Sequence, residues 1–383
     1  MKKIKAGIIG TGFIGIVHAE ALRRVNNVEI AALCDSNAKD AEKKAEDLHV
    51  GKFYTDYRQM INDPDIECVH ICTPNHLHYR MTKDALSAGK HVVCEKPVTT
   101  NIPEAFELLE LAEKNNLVNA IGFNVRYYPL MRELRVRMEQ GDLGDVFSIQ
   151  GSYLQDWLFF DTDYNWRLEP DVAGKSRAVA DIGSHWIDLV EYVTKRKITA
   201  VFADLKTFHK TRKKPLKPVE TYSGKLLTPE DYGDVEINTE DYASVLFKLD
   251  NGGRGVFTVS QVSAGRKNRI YFDIAGSKKS ASWDSEQPNF LWIGKRDGAN
   301  EILMRDPSLF GEAARELVNY PGGHNEAFPD TFKHLFREVY EDIDREPAQR
   351  RNLFPGFADG VRELILCDKI LESYEKEKWI EIK

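Results

Sequence analysis

The chain has 383 residues, more than one typical domain holds and enough for two. Hydrophobic residues make up 42% of it and charged residues 30%, which is the balance of a globular protein with ample material for a core. The net charge of −7 argues against a nucleic-acid-binding surface, and no apolar run approaches the roughly 20 residues that cross a bilayer.

The start of the chain and its cysteines indicate the cellular compartment in which the protein is expected. Met1-Lys2-Lys3 is followed directly by a strand pattern and is unlike a secretory signal. Five cysteines, an odd number, favour a reducing compartment without a disulfide framework. Their spacings match no common zinc site, so we expect no metal, and we expect small buried side chains at Cys34, Cys68, Cys72 and Cys94. These features favour a cytoplasmic protein.

The first 35 residues predict a strand, a glycine-rich turn, a helix, a second strand and an acid. The apolar run 4–9 leads into Gly10-Thr11-Gly12-Phe13-Ile14-Gly15, and a second apolar run, 28–34, ends in Asp35. This is the dinucleotide-binding fingerprint in the strand–turn–helix context that it requires. The helix N-terminus offers N–H groups and a partial positive charge to a pyrophosphate. The alternative at this point is a glycine-rich turn that binds no ligand.

The residues of this fingerprint have separate physical roles. Gly10 permits the tight turn, Gly12 lets the backbone approach the pyrophosphate, and Gly15 lets the helix lie close to the strand. Asp35 follows Gly15 by about 20 residues and can accept hydrogen bonds from a ribose 2′-hydroxyl. Its charge would repel a 2′-phosphate, so we expect NAD rather than NADP.

Strands and helices continue to alternate after Asp35, which predicts a parallel, doubly wound α/β sheet. One strand run leads to Thr73-Pro74-Asn75-His76-Leu77-His78, and another, 91–94, leads to Glu95-Lys96-Pro97. Because ligands bind outside the carboxyl ends of such strands, we expect these motifs and the glycine turn at one edge. Residues 1–123 are therefore expected to form a Rossmann dinucleotide-binding domain.

The pattern changes near residue 123, where strand-like runs joined by loops replace the regular alternation. A helix is predicted near 181–193, and Asn251-Gly252-Gly253 between two runs is a strong hairpin signal. Runs of strands with few helices favour a mostly antiparallel sheet, so we expect residues 124–383 to form an α+β domain. The predicted strands are 146–155, 199–208, 240–249, 254–262, 269–275 and 280–284.

Two clusters carry residues suited to proton chemistry. Lys96 lies at a strand end on the expected cofactor edge, where partial desolvation can lower the pKa of a lysine and let it hydrogen-bond a substrate hydroxyl. Asp181 and His185 are spaced i, i+4 on the predicted helix, so the carboxylate can orient the imidazole as a general base toward an alcohol. The alternatives are a structural pair between Lys96 and Glu95, and a helix-capping Asp181 beside a partly buried histidine.

An aromatic segment and a basic segment are each open to two interpretations. The aromatic faces can stack on sugar rings, or they can pack on one another in a surface loop. The basic run 206–214 is interpreted as a solvated excursion rather than a phosphate-binding patch. His76 and His78 are expected to shape their loop, and His324 to serve structure. The aromatic segment contains Tyr153, Trp157, Tyr164 and Trp166, with Arg167 and Arg177.

In their order and spacing, these motifs resemble the glucose–fructose oxidoreductase / inositol dehydrogenase family from end to end. The resemblance rests on the glycine fingerprint, Thr73-Pro74-Asn75-His76, Glu95-Lys96-Pro97 and the Asp181-x-x-x-His185 segment. It implies a C-terminal domain with a large open sheet that commonly mediates dimers or tetramers. It also implies oxidation or reduction of a hydroxyl or ketone on a sugar or cyclitol with NAD(P). One departure is Ala173-Gly174, where many members carry paired glycines.

The resemblance assigns expected roles to residues of both domains. Lys96, Asp181 and His185 are the expected catalytic residues. Substrate contacts are expected from these three and from Arg126, Trp157 and Arg167. Cofactor contacts are expected from Gly10, Gly12, Phe13, Ile14, Gly15, Asp35, Thr73, Asn75, His78, Glu95, Lys96, Asn124 and Trp166.

The sequence thus predicts an NAD-dependent oxidoreductase that transfers a hydride between nicotinamide and a secondary hydroxyl or ketone of a sugar, cyclitol or glycoside. Its expected partners are this small molecule and further copies of the chain, in a homodimer or homotetramer formed through the C-terminal sheet. Two other functions stay open. One is an NAD-assisted glycoside hydrolase that works by oxidation and elimination, and the other is a non-catalytic protein that senses NAD or sugar.

Overall fold

The computed structural model describes residues 3–216 and 228–382, so the start Met1-Lys2 lies outside it. Packing divides the described residues into two compact units, each with its own sheet. The first unit contains residues 3–127 and 328–364, and the second contains residues 128–216, 228–327 and 365–382.

A parallel sheet of six strands forms the centre of the first unit between residues 4 and 121. Its strands are β1 (Ile4–Ile9), β2 (Val28–Cys34), β3 (Phe53–Tyr54), β4 (Cys68–Ile71), β5 (His91–Cys94) and β6 (Asn119–Ile121). The order across the sheet is β3-β2-β1-β4-β5-β6, and every neighbouring pair is parallel. This is the Rossmann order, in which β2 and β3 are added on one side of β1 and β4 to β6 on the other, which leaves a crevice between β1 and β4 at the carboxyl edge. The predicted fold class is confirmed for this part of the chain.

Within the described part of the second unit, nine strands form a large and mostly antiparallel sheet, as predicted. The order is β16-β15-β14-β13-β7-β12-β11-β8-β17, in which β7 and β12 pair in parallel, while β9 and β10 form a separate antiparallel pair. Asn251-Gly252-Gly253 lies in the turn between β11 and β12, as predicted, with φ of +87° at Gly252. The sequence did not predict β9, β10, β15 or β16. The strands are β7 (Val146–Leu154), β8 (Ile198–Lys206), β9 (Thr211–Pro215), β10 (Tyr232–Glu236), β11 (Tyr242–Leu249), β12 (Arg254–Ser260), β13 (Arg269–Gly276), β14 (Lys279–Asp284), β15 (Phe290–Lys295), β16 (Glu301–Met304) and β17 (Ile380–Glu381).

Helices connect the strands, and several begin at side chains that cap them. The side chain of Asn37 accepts hydrogen bonds from the first turn of one helix, and Asn101 does the same for another, which also has a proline in its first turn. No helix of the described residues is long and apolar enough to span a membrane. The helices are α1 (Phe13–Arg23), α2 (Ala38–Asp47), α3 (Tyr57–Ile61), α4 (His78–Ser87), α5 (Ile102–Lys114), α6 (Pro129–Glu139), α7 (Pro170–Ala173), α8 (Ser184–Thr194), α9 (Glu312–Arg315), α10 (Phe328–Ile343) and α11 (Phe357–Lys376).

The segment 328–364 packs with the first unit, although the sequence division at residue 123 assigns it to the second domain. Two phenylalanines of α10 place their rings 5.3 and 4.7 Å from the ring of His18 on α1; they are Phe332 and Phe336. Arg24 and Asp330, 306 positions apart, form an ion pair. Hydrophobic periodicity identifies an amphipathic helix but not its distant partner, which is why the sequence could not assign this segment.

The core of the second unit lies between α8 and one face of the large sheet. The fully buried ring of Trp186 stacks on Phe257 of β12 with centroids 4.6 Å apart, and its Nε1 donates a 2.9 Å hydrogen bond to Tyr271 O. A Cβ at Gly151 of β7 would lie 2.7 Å from this Nε1, so the indole occupies space that only a glycine leaves open. This packing fixes α8, which carries His185, against the sheet.

Candidate active site

The motifs predicted to converge do follow neighbouring strands of the parallel sheet. Hydrogen bonds continue the ladder beyond the strand ends: Cys72 N donates to Ile9 O at 2.8 Å, and Glu95 N donates to Ile71 O at 2.9 Å. On the other side of β1, Gly10 N donates to Cys34 O at 2.8 Å. The glycine turn, the Thr73 loop and the Glu95-Lys96-Pro97 loop therefore lie side by side at one carboxyl edge.

The glycine turn has the shape that a pyrophosphate requires. Gly10 has φ of +94°, and a Cβ there would lie 2.6 Å from Cys72 O. A Cβ at Gly15 would overlap Gly10 O, so α1 and the turn touch without side chains between them. Nothing lies within 4 Å of the Cβ position of Gly12, which is the N-cap of α1, and Phe13 beside it is 57% exposed. The open space at a helix N-terminus fits the diphosphate of NAD.

Asp35 joins the end of β2 to the glycine turn. Its Oδ2 accepts hydrogen bonds from Thr11 N at 3.1 Å and Thr11 Oγ1 at 2.7 Å, and its Oδ1 accepts one from Asn37 N at 3.2 Å. A carboxylate has about four acceptor sites, so one remains for a ribose hydroxyl. The negative charge at this position fits the 2′-hydroxyl of NAD and opposes a 2′-phosphate.

Glu95 is directed into the interior of the first unit, toward a pair of histidines that the sequence analysis did not single out. Its Oε1 lies 3.0 Å from Nε2 of His18, Nδ1 of His18 lies 3.0 Å from Nδ1 of His70, and Nε2 of His70 lies 2.9 Å from the Tyr340 hydroxyl. A Cβ at Gly122 would overlap Oε1 of Glu95, so that glycine makes room for the carboxylate. The sequence contained one signal of this pair, namely a histidine within each of two apolar runs, one in α1 and one in β4.

His78 joins two loops of the carboxyl edge. It is buried, with Nδ1 2.7 Å from Pro97 O and Nε2 2.8 Å from Thr73 O. The imidazole thus ties the Thr73 loop to the loop that carries Lys96, consistent with the loop-shaping role considered for it. Asn75 lies in the 3₁₀ turn between them, and Asn75 and Lys96 are both half-buried.

Asn124 and Arg126 lie in a 3₁₀ turn at the end of the parallel sheet, and both have partners inside the first unit. Asn124 is buried, and its Nδ2 donates to Thr331 Oγ1 at 2.7 Å. Arg126 pairs with Asp359 at 2.7 Å. Their predicted contacts with cofactor and substrate stay predictions.

In the second unit, Asp181 lies in a π-helical turn, Val179–Gly183, that precedes α8. The helix predicted near 181–193 is therefore present, and its first turn is π-helical. The carboxylate of Glu240 accepts hydrogen bonds from Arg177 N and Val179 N at 2.8 and 3.0 Å, and so holds the entry to this turn. Asp181 and His185 are both half-buried.

The carboxylate of Asp181 is held by two side chains from other segments. Its Oδ2 accepts a 2.8 Å hydrogen bond from Gln261 Nε2, and its Oδ1 lies 3.4 Å from Arg167 Nε. The guanidinium of Arg167 lies 4.4 Å from the ring centre of Trp166 and 6.0 Å from that of Trp157. The structure therefore brings together four of the predicted site residues in the second unit.

The aromatic segment both packs on itself and surrounds this cluster. Trp157 and Tyr164 pack against a buried group formed by Leu158, Leu168 and Ile237. Trp157 Nε1 also donates to Gln155 Oε1 at 2.8 Å. Packing within the loop is therefore observed for Trp157 and Tyr164, and stacking of these aromatic faces on a sugar ring stays a prediction.

The basic run 206–214 is not a solvated excursion throughout. Arg212 is fully buried and pairs with Asp241 at 2.9 Å, and Arg177, also buried, pairs with the same carboxylate. Burial is the largest single effect and raises the pKa of Asp241. The charge and hydrogen bond of Arg177, the hydrogen bond from His209 N and the charge of Arg212 together outweigh burial and leave the pKa below its usual value. Sequence composition could not identify this partner, which lies 29 positions away from Arg212.

Comparison with known proteins assigns the chain to a family. The family model described as "Oxidoreductase family, NAD-binding Rossmann fold" matches residues 4–123, and the one described as "GFO/IDH/MocA C-terminal domain" matches residues 131–282. A crystal structure of an oxidoreductase domain protein from Kribbella flavida has 30% identity and a TM-score of 0.89, and the match covers 100% of both chains. The chain belongs to the GFO/IDH/MocA oxidoreductase family.

Other members of the GFO/IDH/MocA family resemble this chain over its whole length. Levoglucosan dehydrogenase of Pseudarthrobacter phenanthrenivorans is 27% identical, with 100% of this chain and 99% of the relative covered. A solved levoglucosan dehydrogenase in complex with NADH and levoglucosan is 26% identical, with a TM-score of 0.88 and 100% of both chains covered. As a member of the GFO/IDH/MocA family, the protein is an NAD-dependent oxidoreductase, and NAD is its cofactor.

Proposed function

We propose that the protein is a dehydrogenase that interconverts a secondary hydroxyl and a ketone on a sugar, cyclitol or glycoside. The observation that carries the proposal is the cluster of Asp181, Arg167 and Trp166 in the second unit, which combines an acid, a cation and an aromatic face. Such a combination suits a polyhydroxylated ring, whose C–H faces stack on aromatic rings and whose hydroxyls bond to charged groups. The names of the full-length relatives support the same substrate class.

In this proposal the first unit binds the cofactor and the second binds the substrate. Bound NAD supplies a nicotinamide ring that accepts the hydride from the carbinol carbon. His185 takes the hydroxyl proton, and Asp181 orients the imidazole and stabilises its charged form. Lys96 donates a hydrogen bond to the same substrate oxygen and stabilises the negative charge that develops on it. We further propose a cytoplasmic location, which the use of NAD supports.

The test is absorbance at 340 nm after the protein is mixed with NAD and a panel of sugars and inositols that includes levoglucosan. Binding of NAD is measured separately by titration. We expect Lys96→Ala and His185→Ala to lower kcat by a factor of about 10² to 10⁴ while NAD still binds. Lys114→Ala and His324→Ala, at exposed positions, are the matched controls. Turnover that survives both site variants would contradict these roles.

The other two functions predict different outcomes of the same experiment. An NAD-assisted glycoside hydrolase would release nitrophenol from an aryl glycoside without net NADH. A sensing protein would bind NAD and sugar but oxidise no member of the panel, and its ligand binding would be unaffected by His185→Ala. Either result would contradict the proposed dehydrogenase.

We also propose that the protein forms a homodimer or homotetramer through the open face of the large sheet. One residue from each of eight neighbouring strands forms a continuous row on this face, and none of the row is buried within the chain. Five of its members are large and apolar, a pattern typical of a surface that another protein covers. The row is Phe202, Leu246, Val256, Gln150, Asp273, Ser282, Trp292 and Ile302.

The oligomeric state is tested by light scattering coupled to size-exclusion chromatography. We expect the wild type to elute as a dimer or tetramer. Leu246 and Val256 are cross-strand neighbours, so Leu246→Lys together with Val256→Lys places two charges in the apolar part of the row that begins at Phe202 and should give monomers. A monomeric wild type, or an unchanged assembly of the double variant, would contradict the proposal.

A further inference from the structure

We infer that Gln261 is a positioning residue for Asp181, and that Arg177 fixes the side-chain amide of Gln261 in the orientation this role requires. The inference rests on the proposed function, because it deepens the account of the acid beside His185. Gln261 Nε2 donates to Asp181 Oδ2 at 2.8 Å, and Gln261 Oε1 accepts from Arg177 Nη1 at 3.1 Å. No role was predicted for Gln261 from the sequence.

The backbone of Gln261 is held on both sides. The residue directly follows β12 and is fully buried. Its N–H donates to Asp241 O at 3.0 Å, and its carbonyl accepts from Leu158 N at 3.2 Å. The side chain therefore starts from a fixed position and reaches Asp181 from a rigid strand end.

The chemistry of the two neighbours allows one orientation of the amide. A guanidinium has only donors, and an ionised carboxylate has only acceptors. The carbonyl oxygen of Gln261 must therefore face Arg177, which leaves the NH₂ group to face Asp181. Turning the amide over would place two donors together on one side and two acceptors on the other, and would lose both buried hydrogen bonds.

Arg177 is itself immobilised by several partners. It is buried, its Nε donates to Thr239 Oγ1 at 3.1 Å, and its Nη2 donates to Thr239 O at 3.3 Å and pairs with Asp241. A buried series thus runs from Asp241 through Arg177 and Gln261 to Asp181. The other charged side chain on Asp181, that of Arg167, is 27% exposed and lies further away at 3.4 Å.

The consequence is that one oxygen of Asp181 has a permanent donor that a ligand cannot displace, while Oδ1 faces Arg167 on the more exposed side. This fixes the carboxylate before substrate binds. Arg167 lies beside the carboxylate, and Arg177 and Asp241 lie behind Gln261. Glu240 binds the start of the π-helical turn, and His185 follows on α8 with its ring centre 6.4 Å from that of Tyr153. Loss of the donor should therefore affect the chemical step more than substrate binding.

Two variants of Gln261 separate positioning from folding. Gln261→Met removes the donor at similar size, and we expect kcat to fall by about tenfold with the sugar KM within about twofold of wild type. Gln261→Glu keeps an acceptor for Arg177 but places a carboxyl group against Asp181. The two can share a proton at low pH and repel once both ionise, so activity relative to wild type should fall as pH rises. Gln140→Met, at an exposed helix end of the same unit, is the control.

Thermal unfolding and a double-variant cycle complete the test. In an Asp181→Asn background, Gln261→Met should cause no further loss, because the group it positions is already changed. The inference is overturned if Gln261→Met lowers kcat in the Asp181→Asn background by the same factor as in the wild type. It is also overturned if the Met and Glu variants of Gln261 lose the same factor of activity at every pH.

An NMR titration of His185 gives a result that does not depend on turnover. We expect Gln261→Glu to raise the pKa of His185 relative to wild type, and Gln140→Met to leave it unchanged. If no sugar is oxidised but the pKa of His185 rises, the proposed function fails and the positioning role stands. An unchanged pKa of His185 in the Glu variant overturns the positioning role.

Discussion

Nδ1 of His18 and Nδ1 of His70 face each other at 3.0 Å in the buried interior of the first unit. One proton fits between them, because two N–H groups at this distance would repel. His18 Nε2 faces the carboxylate of Glu95 and therefore carries a hydrogen, so His18 Nδ1 is the acceptor and His70 Nδ1 the donor. His70 Nε2 is then left to accept from the hydroxyl of Tyr340. All the donors of this series point toward Glu95.

Acid should destabilise the protein through His70. Burial, with a smaller effect from His18, lowers the pKa of His70 well below the usual 6.5. The unfolded chain binds a proton at this histidine below about pH 6.5 and the folded protein does not. The contribution of His70 to the free energy of unfolding should therefore be fully present above that pH. It should fall by up to about 1.4 kcal/mol per pH unit as pH decreases toward the pKa of His70 in the folded protein. Urea unfolding between neutral and mildly acidic pH measures this slope.

In the variant His70→Gln, the free energy of unfolding should depend less steeply on pH, by the equivalent of about one proton bound on unfolding, because the titrating group is gone. His324→Gln removes an exposed histidine and should leave the slope as in wild type. Equal slopes for wild type and His70→Gln would contradict a neutral His70 in the folded protein.

Gly122→Ala should displace Glu95 from His18. The new Cβ would overlap Oε1 of Glu95, and the carboxylate is buried, so the methyl group can be accommodated only by movement of the side chain. We expect a loss of about 1–3 kcal/mol in the free energy of unfolding, as for other overpacked sites. Gly51→Ala is the matched control, because its Cβ would meet nothing within 4 Å. The free energies of unfolding of both variants are measured with urea. Equal values for Gly122→Ala and Gly51→Ala would contradict the tight fit around Glu95.

The parts of the fold that the sequence predicted depend on residues close together in the chain. The glycine turn, Asp35 and the alternation of strands and helices are local patterns, and the carboxyl edge follows from the parallel order. The hairpin at Asn251-Gly252-Gly253 is equally local, because a tight turn selects its own residues.

What the sequence did not predict depends on partners far away in the chain. Arg212 lies in a basic run, and its burial is explained by Asp241 and by the carbonyl oxygens of Leu158 and Phe160. Gln261 has no local signal either, since its role arises from two neighbours about 80 positions earlier, Arg177 and Asp181. Tertiary pairs of this kind leave no periodic pattern that a reading of one sequence could detect.

Asp35→Ser should weaken NAD binding and reduce the discrimination against NADP. The serine cannot reproduce the carboxylate that accepts from Thr11 and is expected to accept from the ribose, and it removes the charge that opposes a 2′-phosphate. We expect the Kd for NAD to rise about tenfold or more and the ratio of Kd for NADP to Kd for NAD to fall. Fluorescence titration with both cofactors measures this. Asp47→Ser, at an exposed position, is the control, and an unchanged ratio in Asp35→Ser would contradict the role of the charge.

Asp241→Asn should be among the most damaging single substitutions in the second unit. Asp241 is fully buried between Arg177 and Arg212, and an amide in its place leaves two buried guanidinium groups without a counter-charge. Removing one partner of a buried ion pair costs about 3–5 kcal/mol, because the remaining charge keeps its desolvation penalty. Asp250→Asn, in an exposed turn of the same unit, should change stability by about 0.5 kcal/mol or less. Urea unfolding compares the two, and a loss as small as that of the control would show that the arginines are satisfied by their carbonyl partners alone.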